Sequence, residues 1–115
     1  MLYNLLMELL FLETVDSTNK YAKEHLAELN DKTLVYAGTQ TAGRGRLQRK
    51  WSSLGDNNLY ASIVLKPSKE LKEIYSNLTQ YLSVILAQTF ENYNLSPKIK
   101  WPNDVRIDGK KYLEF

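Results

Sequence analysis

Asn58-Leu59-Tyr60-Ala61-Ser62-Ile63-Val64-Leu65-Lys66-Pro67-Ser68, continued over residues 69–94 as KELKEIYSNLTQYLSVILAQTFENYN, changes its hydrophobic period partway along. In the first part Leu59, Ala61, Ile63 and Leu65 share one face and Tyr60, Ser62 and Val64 the other. That alternation predicts a strand over 58–66, closed by Pro67-Ser68. In the second part Leu71, Ile74, Leu78, Leu82, Ile85 and Phe90 recur at spacings of three to five, which predicts a long amphipathic helix from Lys69 to about Asn94. The change of period fixes a β-to-α transition in the middle of the chain.

Upstream, residues 8–15 (ELLFLETV) read as a first strand. Asp16-Ser17-Thr18-Asn19 then supplies residues that favour helix N-caps, and Tyr21, Ala22, Leu26 and Leu29 form a helical stripe that Asn30-Asp31 ends. Leu34 to Gly38 is a short strand. Thr39 to Arg46 has no usable period and reads as a loop. Downstream, Ser96-Pro97 breaks the long helix and Lys98 to Trp101 reads as a strand. Asp108-Gly109, between Val105-Arg106-Ile107 and Lys110-Lys111-Tyr112, suits the positive backbone angles of a tight hairpin. No internal repeat or linker divides the chain. The expectation is one α+β folding unit, a mixed β-sheet with helices covering one face.

Composition narrows the chemistry. The hydrophobic share of 43% and charged share of 24% are those of a soluble globular domain. A net charge of +2 is too small to imply a nucleic-acid partner by itself, although Arg44, Arg46, Arg49 and Lys50 fall within one short stretch. There is no cysteine and a single histidine, His25, which exclude a disulfide framework, a zinc site of Cys or His type and a Ser-His-Asp triad. No run approaches the ~18 apolar residues of a membrane span. The expectation is a cytoplasmic protein with no membrane partner.

Two stretches concentrate the remaining chemistry. In Gly43-Arg44-Gly45-Arg46-Leu47-Gln48-Arg49-Lys50-Trp51 the glycines let backbone N–H groups approach a ligand. The arginines offer planar forks for carboxylate or phosphate oxygens, and Trp51 can cover an apolar group. The spacing is neither a Walker A loop nor a dinucleotide fingerprint. A solvated basic loop and a loop over an anionic, partly apolar ligand both stay open. Lys100-Trp101-Pro102-Asn103-Asp104 reads either as a well-made corner or as amide, carboxylate and indole groups beside a ligand. Ser17-Thr18-Asn19 can cap a helix and also bond a polar ligand head.

Taken in order, Asp16-Ser17-Thr18-Asn19, Gln40, Gly43-Arg44-Gly45-Arg46, Arg49-Lys50-Trp51, Asn58 to Ser62, Lys100 to Asp104 and Gly109-Lys110-Lys111 resemble the biotin–protein ligases. The resemblance spans roughly residues 9–111; lipoate ligases, which share the fold, differ across the Gly-Arg stretch. It implies a class II aminoacyl-tRNA synthetase/biotin ligase-like fold, incomplete here. It also implies a two-step reaction, in which biotin and MgATP give biotinyl-5′-AMP and the biotinyl group passes to a lysine of a biotin carboxyl carrier protein. By matching position, Ser17, Thr18, Asn19 and Gln40 would line the biotin pocket, and Gly43, Arg44, Gly45 and Arg46 would close over biotin and the adenylate. Arg46 and Lys111 would be the catalytic pair, Lys111 contacting the reacting carboxylate and α-phosphate. Arg49, Trp51, Asn103 and Asp104 would face ATP, with Asp104 helping to organise Mg²⁺.

The family continues beyond the position of Lys111 with an apolar strand, further sheet and a small C-terminal β-domain. The expectation over 1–115 is therefore a partial catalytic domain, without a DNA-binding segment before the first strand, weak or inactive alone. Exposed sheet edges would then favour a homo-oligomer. The competing expectation is a non-catalytic binding module or structural remnant, its basic loop contacting nucleic acid.

Overall fold

The computed structural model describes residues 7–44, 49–50, 58–67, 72–101 and 104–114, with the side chains of 72–76 and 114 left aside. The chain divides into two compact units, Met1–Ser68 and Lys69–Phe115. The boundary between the two units falls at the Pro67-Ser68 stop.

The first unit contains β1 (Glu8–Val15), α1 (Thr18–Glu24), β2 (Thr33–Gln40) and β3 (Tyr60–Val64). β1 and β2 are parallel, Leu10 opposite Val35 and Val15 opposite Gln40, with α1 as the connection between them. β3 pairs antiparallel with β2, Val35 opposite Ser62 and Ala37 opposite Tyr60, so this sheet is mixed. Because side chains alternate along a strand, the register puts Leu10, Leu12, Val35 and Val64 on one face, where Ala22, Tyr21 and Leu29 cover them. The opposite face presents Leu9, Phe11 and Ile63 in exposed positions. There Phe11 meets Tyr36 at a ring-centroid distance of 5.1 Å.

Ser17 caps α1 from an extended backbone, its Oγ accepting the Lys20 N–H at 3.2 Å. Such a cap is worth ~1 kcal/mol. Asp16 accepts from the Ser17 N–H and from Lys20 Nζ at 3.1 Å. The Lys20 hydrogen bond, followed by that from Ser17, holds the Asp16 carboxyl below its ordinary value, and the same pairing raises Lys20. The helix is shorter than the stripe through Leu29 predicts. Both the backbone N–H and Nδ1 of His25 approach the Tyr21 carbonyl oxygen, and the two rings stack at 4.0 Å. The chain leaves helical geometry at His25 and turns, so Leu26 is exposed while Leu29 still reaches the core. β2 extends through Thr39 and Gln40, two residues the sequence reading assigned to the loop.

The second unit contains α2 (Lys72–Glu91), β4 (Pro97–Lys100), β5 (Asp104–Ile107) and β6 (Lys110–Glu114). α2 packs on β4 and β5. Its inward stripe runs through Leu78, Leu82, Ser83, Leu86, Ala87 and Phe90, with Ser83 and Ala87 buried and Ile85 exposed. The small side chains Ser83 and Ala87 mark the buried line. Leu71 and the Ile74 side chain lie outside the described residues. Asn94 ends the helix in the left-handed region at φ 62°, with the Asn94 N–H donating to Glu91 O and the Leu95 N–H to Phe90 O, a Schellman arrangement.

β4, β5 and β6 form an antiparallel sheet in that order, so the six strands among the described residues make two sheets rather than the one expected. The sequence identifies strands more readily than it identifies their partners, and the long α2 separates β3 from β4. The hairpin turn is as predicted, with Asp108 and Gly109 both at positive φ, 53° and 75°. Val105 pairs with Leu113 but Arg106 with Lys111, which leaves Tyr112 as a bulge residue. Its ring makes an edge contact with Phe90 at 6.0 Å. Among the described residues no helix is long and apolar enough to cross a membrane.

The assignment of faces in the first unit predicts unequal costs for two truncations. Val35→Ala, at a position with no exposed surface, is expected to destabilise the chain by about 2 kcal/mol in urea unfolding. Leu9→Thr, on the open face, is expected to stay within roughly 0.5 kcal/mol of the parent. Equal costs would contradict this assignment, and a larger cost at Leu9 would show the faces reversed.

Candidate functional site

Parallel pairing brings the carboxyl ends of β1 and β2 to one edge of the first sheet. In open sheets with parallel strands that edge is where ligands are bound, because the loops leaving it diverge and helix starts face it. Asp16 and Ser17 leave β1 there, and Thr41 to Arg44 leave β2. The two loops are tied together, the Thr41 N–H donating to Val15 O at 2.9 Å and the Ala42 N–H to Asp16 O at 2.6 Å. Gly43 is buried behind them, and Arg44 pairs in an isolated bridge with Lys50. Arg44 and Lys50 are thus paired where the chain leaves β2.

Thr18 and Gln40 are the centre of the cluster. The Thr18 N–H donates to Gln40 Oε1 at 2.9 Å, and Thr18 Oγ1 lies 2.8 Å from Ser62 Oγ. Ser17, Thr18 and Gln40 are buried polar residues. A buried side-chain amide or hydroxyl without partners is costly, so this network supplies at once a reason for the burial and a fixed orientation for Gln40. Asn19, placed with them by sequence, is exposed on α1. Ser62 is the member that sequence reasoning did not single out; its signal was a hydroxyl between Tyr60 and Val64 on the face that became the core.

The second unit carries another group of polar side chains. Asp104, with a side chain 10% exposed, has Oδ2 3.7 Å from Lys111 Nζ and 3.9 Å from Arg106 Nη2. Arg106 is again a residue the sequence reading passed over, one charged position between Val105 and Ile107. Arg49 is exposed; Gly45, Arg46, Trp51 and Asn103 lie outside the described residues. No group of three His, Cys, Asp or Glu side chains suited to a metal ion occurs among the described residues. Oδ2 of Asp104, the residue expected to help organise Mg²⁺, thus faces two cations.

The polar network makes a measurable prediction. Thr18→Val is expected to cost roughly 1–3 kcal/mol, because it removes the partner of the half-buried Ser62 hydroxyl, and Ser62→Ala less, because Thr18 Oγ1 keeps a 3.4 Å bond to Gln40 Oε1. In a double-mutant cycle the second substitution should cost markedly less than it does alone. Additive costs would mean that the two hydroxyls do not act as a pair.

With the geometry in view, comparisons with known proteins agree on one family. The profile of the biotin/lipoate A/B protein ligase family matches residues 11–112. The bifunctional ligase/repressor BirA of Bacillus subtilis is 41% identical over 106 residues, covering 90% of this chain and 32% of the relative. A solved biotin protein ligase from Aquifex aeolicus, in complex with biotin and ATP, is 37% identical with a TM-score of 0.67. It covers 90% of this chain and 43% of that one. The biotin acetyl coenzyme A carboxylase synthetase from Helicobacter pylori, with bound biotinylated ATP, reaches a TM-score of 0.77 at 22% identity, which bears on the fold alone. It covers 91% of this chain and 51% of the other. The chain thus spans about a third of the length of the curated relative and about half of the solved structures. The word repressor in the BirA name leaves the expectation of no DNA partner without support. The resemblance carried by the ordered motifs and the α+β fold both hold, and the chain belongs to the biotin/lipoate A/B protein ligase family.

Proposed function

We propose that this chain carries the biotin and adenylate side of an ATP-dependent biotin–protein ligase site. The observation that carries the reading is the meeting of Thr18, Gln40 and the Gly43-Arg44 loop at the carboxyl edge of the β1–β2 pair. Gln40 Oε1 is committed to the Thr18 N–H, so its NH₂ is the half of the amide that meets an acceptor such as a ureido oxygen. In this reading the Ser17 and Thr18 hydroxyls serve the ureido N–H groups.

The chemistry suits residues of this kind. In the first step a biotin carboxylate oxygen attacks the α-phosphorus of ATP, and the bond to the departing pyrophosphate breaks. Two anions must approach, so the enzyme's main task is to hold them in line and offset their charge. Arg46 in the Gly-Arg loop and Lys111 in the hairpin fill that role in this proposal, with Arg44, Arg49, Trp51 and Asn103 toward the adenylate. In the second step the lysine amine of a biotin carboxyl carrier protein attacks the acyl carbon, AMP leaves and the amine loses a proton. Neither step needs a covalent enzyme nucleophile, in keeping with a chain that has no cysteine.

Calorimetric titration with biotin and with a non-hydrolysable biotinyl-adenylate analogue tests the reading. The analogue is expected to bind tighter than biotin, and Arg46→Ala to weaken it by at least tenfold. Failure of both ligands to bind, at concentrations where the chain is folded, would overturn the proposal. A salt-dependent nucleic-acid shift insensitive to biotin would favour the binding-module reading instead.

A further inference from the structure

On β5 the residues alternate, Val105 and Ile107 buried, Asp104 and Arg106 on the other face. The register sets Arg106 directly opposite Lys98 of β4 and opposite Lys111 of β6. Three cations therefore occupy one rung of a three-stranded sheet, an arrangement that repels itself unless an anion serves it. The described carboxylate next to this rung is Asp104. A single oxygen of that carboxylate, Oδ2, is shared between Lys111 Nζ at 3.7 Å and Arg106 Nη2 at 3.9 Å. Neither distance is that of a hydrogen bond. The Arg106 Nε, meanwhile, is buried and has no hydrogen-bond partner among the described residues.

These facts fit together if the carboxylate has a second resting place. A guanidinium binds a carboxylate best through two adjacent N–H groups, and the Nε–H of Arg106 with a neighbouring Nη–H makes such a fork. Here the carboxylate lies near one tooth of the fork, Nη2, at 3.9 Å and beyond hydrogen-bond reach. A nearly buried carboxylate resists losing a cation, because an unpaired buried charge is strongly unfavourable. If Lys111 is to leave Asp104 for the carboxylate or phosphate oxygen of a reactant, another cation must take its place. Arg106 is already at hand, with its second donor waiting.

We propose that Arg106 is a positioning residue that receives the Asp104 carboxylate when Lys111 turns to an anionic reactant. This rests on the proposed role of Lys111 and extends it. Asp104 swings from a shared position onto the Nε–Nη fork, the buried donor gains its partner, and Lys111 is released with no charge left stranded. Arg106 acts through Asp104 and Lys111 and does not touch the reactant.

The Nε–H resonance of Arg106 in ¹H–¹⁵N spectra of the whole chain reads this directly. Lys111 is exposed, its side chain 46% accessible, so Lys111→Gln mimics its departure without ligand. The Arg106 Nε–H is expected to move downfield in Lys111→Gln and to stay at its original position in Lys111→Gln combined with Asp104→Asn. If Lys111→Gln loses its spectral dispersion, Lys111→Met is read in the same way. The biotinyl-adenylate analogue should give the same displacement in the parent chain. Arg106→Lys, which keeps the charge and loses the fork, should bind the analogue several-fold more weakly. An unmoved resonance in the Lys111 variants, or a displacement that survives Asp104→Asn, would overturn the proposal. A displacement in Lys111→Gln with no analogue binding would sink the ligase reading and leave the Asp104 handover standing. An Arg106→Lys loss that persists at full size in an Asp104→Asn background would mean that Arg106 meets the reactant itself, which also overturns it.

Discussion

The hydrogen bond from the Thr18 N–H to Gln40 Oε1, 2.9 Å long and buried, ties the start of α1 to the end of β2. Much of the first unit follows from it. A helix start has N–H donors with no partner in the helix, and one buried at a sheet edge must find an acceptor. Gln40 supplies it only if β2 runs two residues beyond its apolar stretch and stays parallel to β1, Val15 beside Gln40. Ser62 completes the arrangement by meeting the Thr18 hydroxyl, which fixes the face that β3 turns inward. One polar contact thus links strand length, helix start and strand face. It also fixes a donor-rich corner in the place where the Gly-Arg loop leaves the sheet.

The second unit is governed by charge as much as by packing. Val105 and Ile107 anchor the hairpin beneath α2, while the opposite side of the same strand carries Asp104 and Arg106. The bulge at Tyr112 sets Lys111 opposite Arg106, within reach of Asp104. The carboxylate assigned by resemblance to a metal is, in this geometry, a counter-ion for two cations. Its effect on an incoming anion comes through which cation it holds.

Much of this was legible in the sequence, for definite physical reasons. α2 declared itself because a long helix repeats its apolar period many times, and the hairpin because Asp108-Gly109 is one of few pairs that accept two positive φ angles. Other features depend on partners distant in the chain. Alternation in 58–66 gives two faces of β3, but the more apolar one, with Ile63, is exposed, and a hydroxyl partner 44 residues away decides the matter. The early end of α1 depends on a Tyr21–His25 stack that helix propensity does not weigh. Ser62 and Arg106 were given no site role because a serine or an arginine within a strand is ordinarily a solvated position. Each gains meaning only when the register sets Ser62 beside Thr18 and Arg106 beside Lys111 and Asp104.

The central claim is that ligand is received at the carboxyl edge of the β1–β2 pair. Amide chemical-shift mapping of the ¹⁵N-labelled chain during titration with biotin tests it most directly. The account predicts saturable shifts concentrated at residues 16–19, 40–44 and 58–62, with the centre of α1 and the open sheet face around Leu9 and Phe11 unmoved. Saturable shifts centred on that open face, with Thr18 and Gln40 silent, would contradict it.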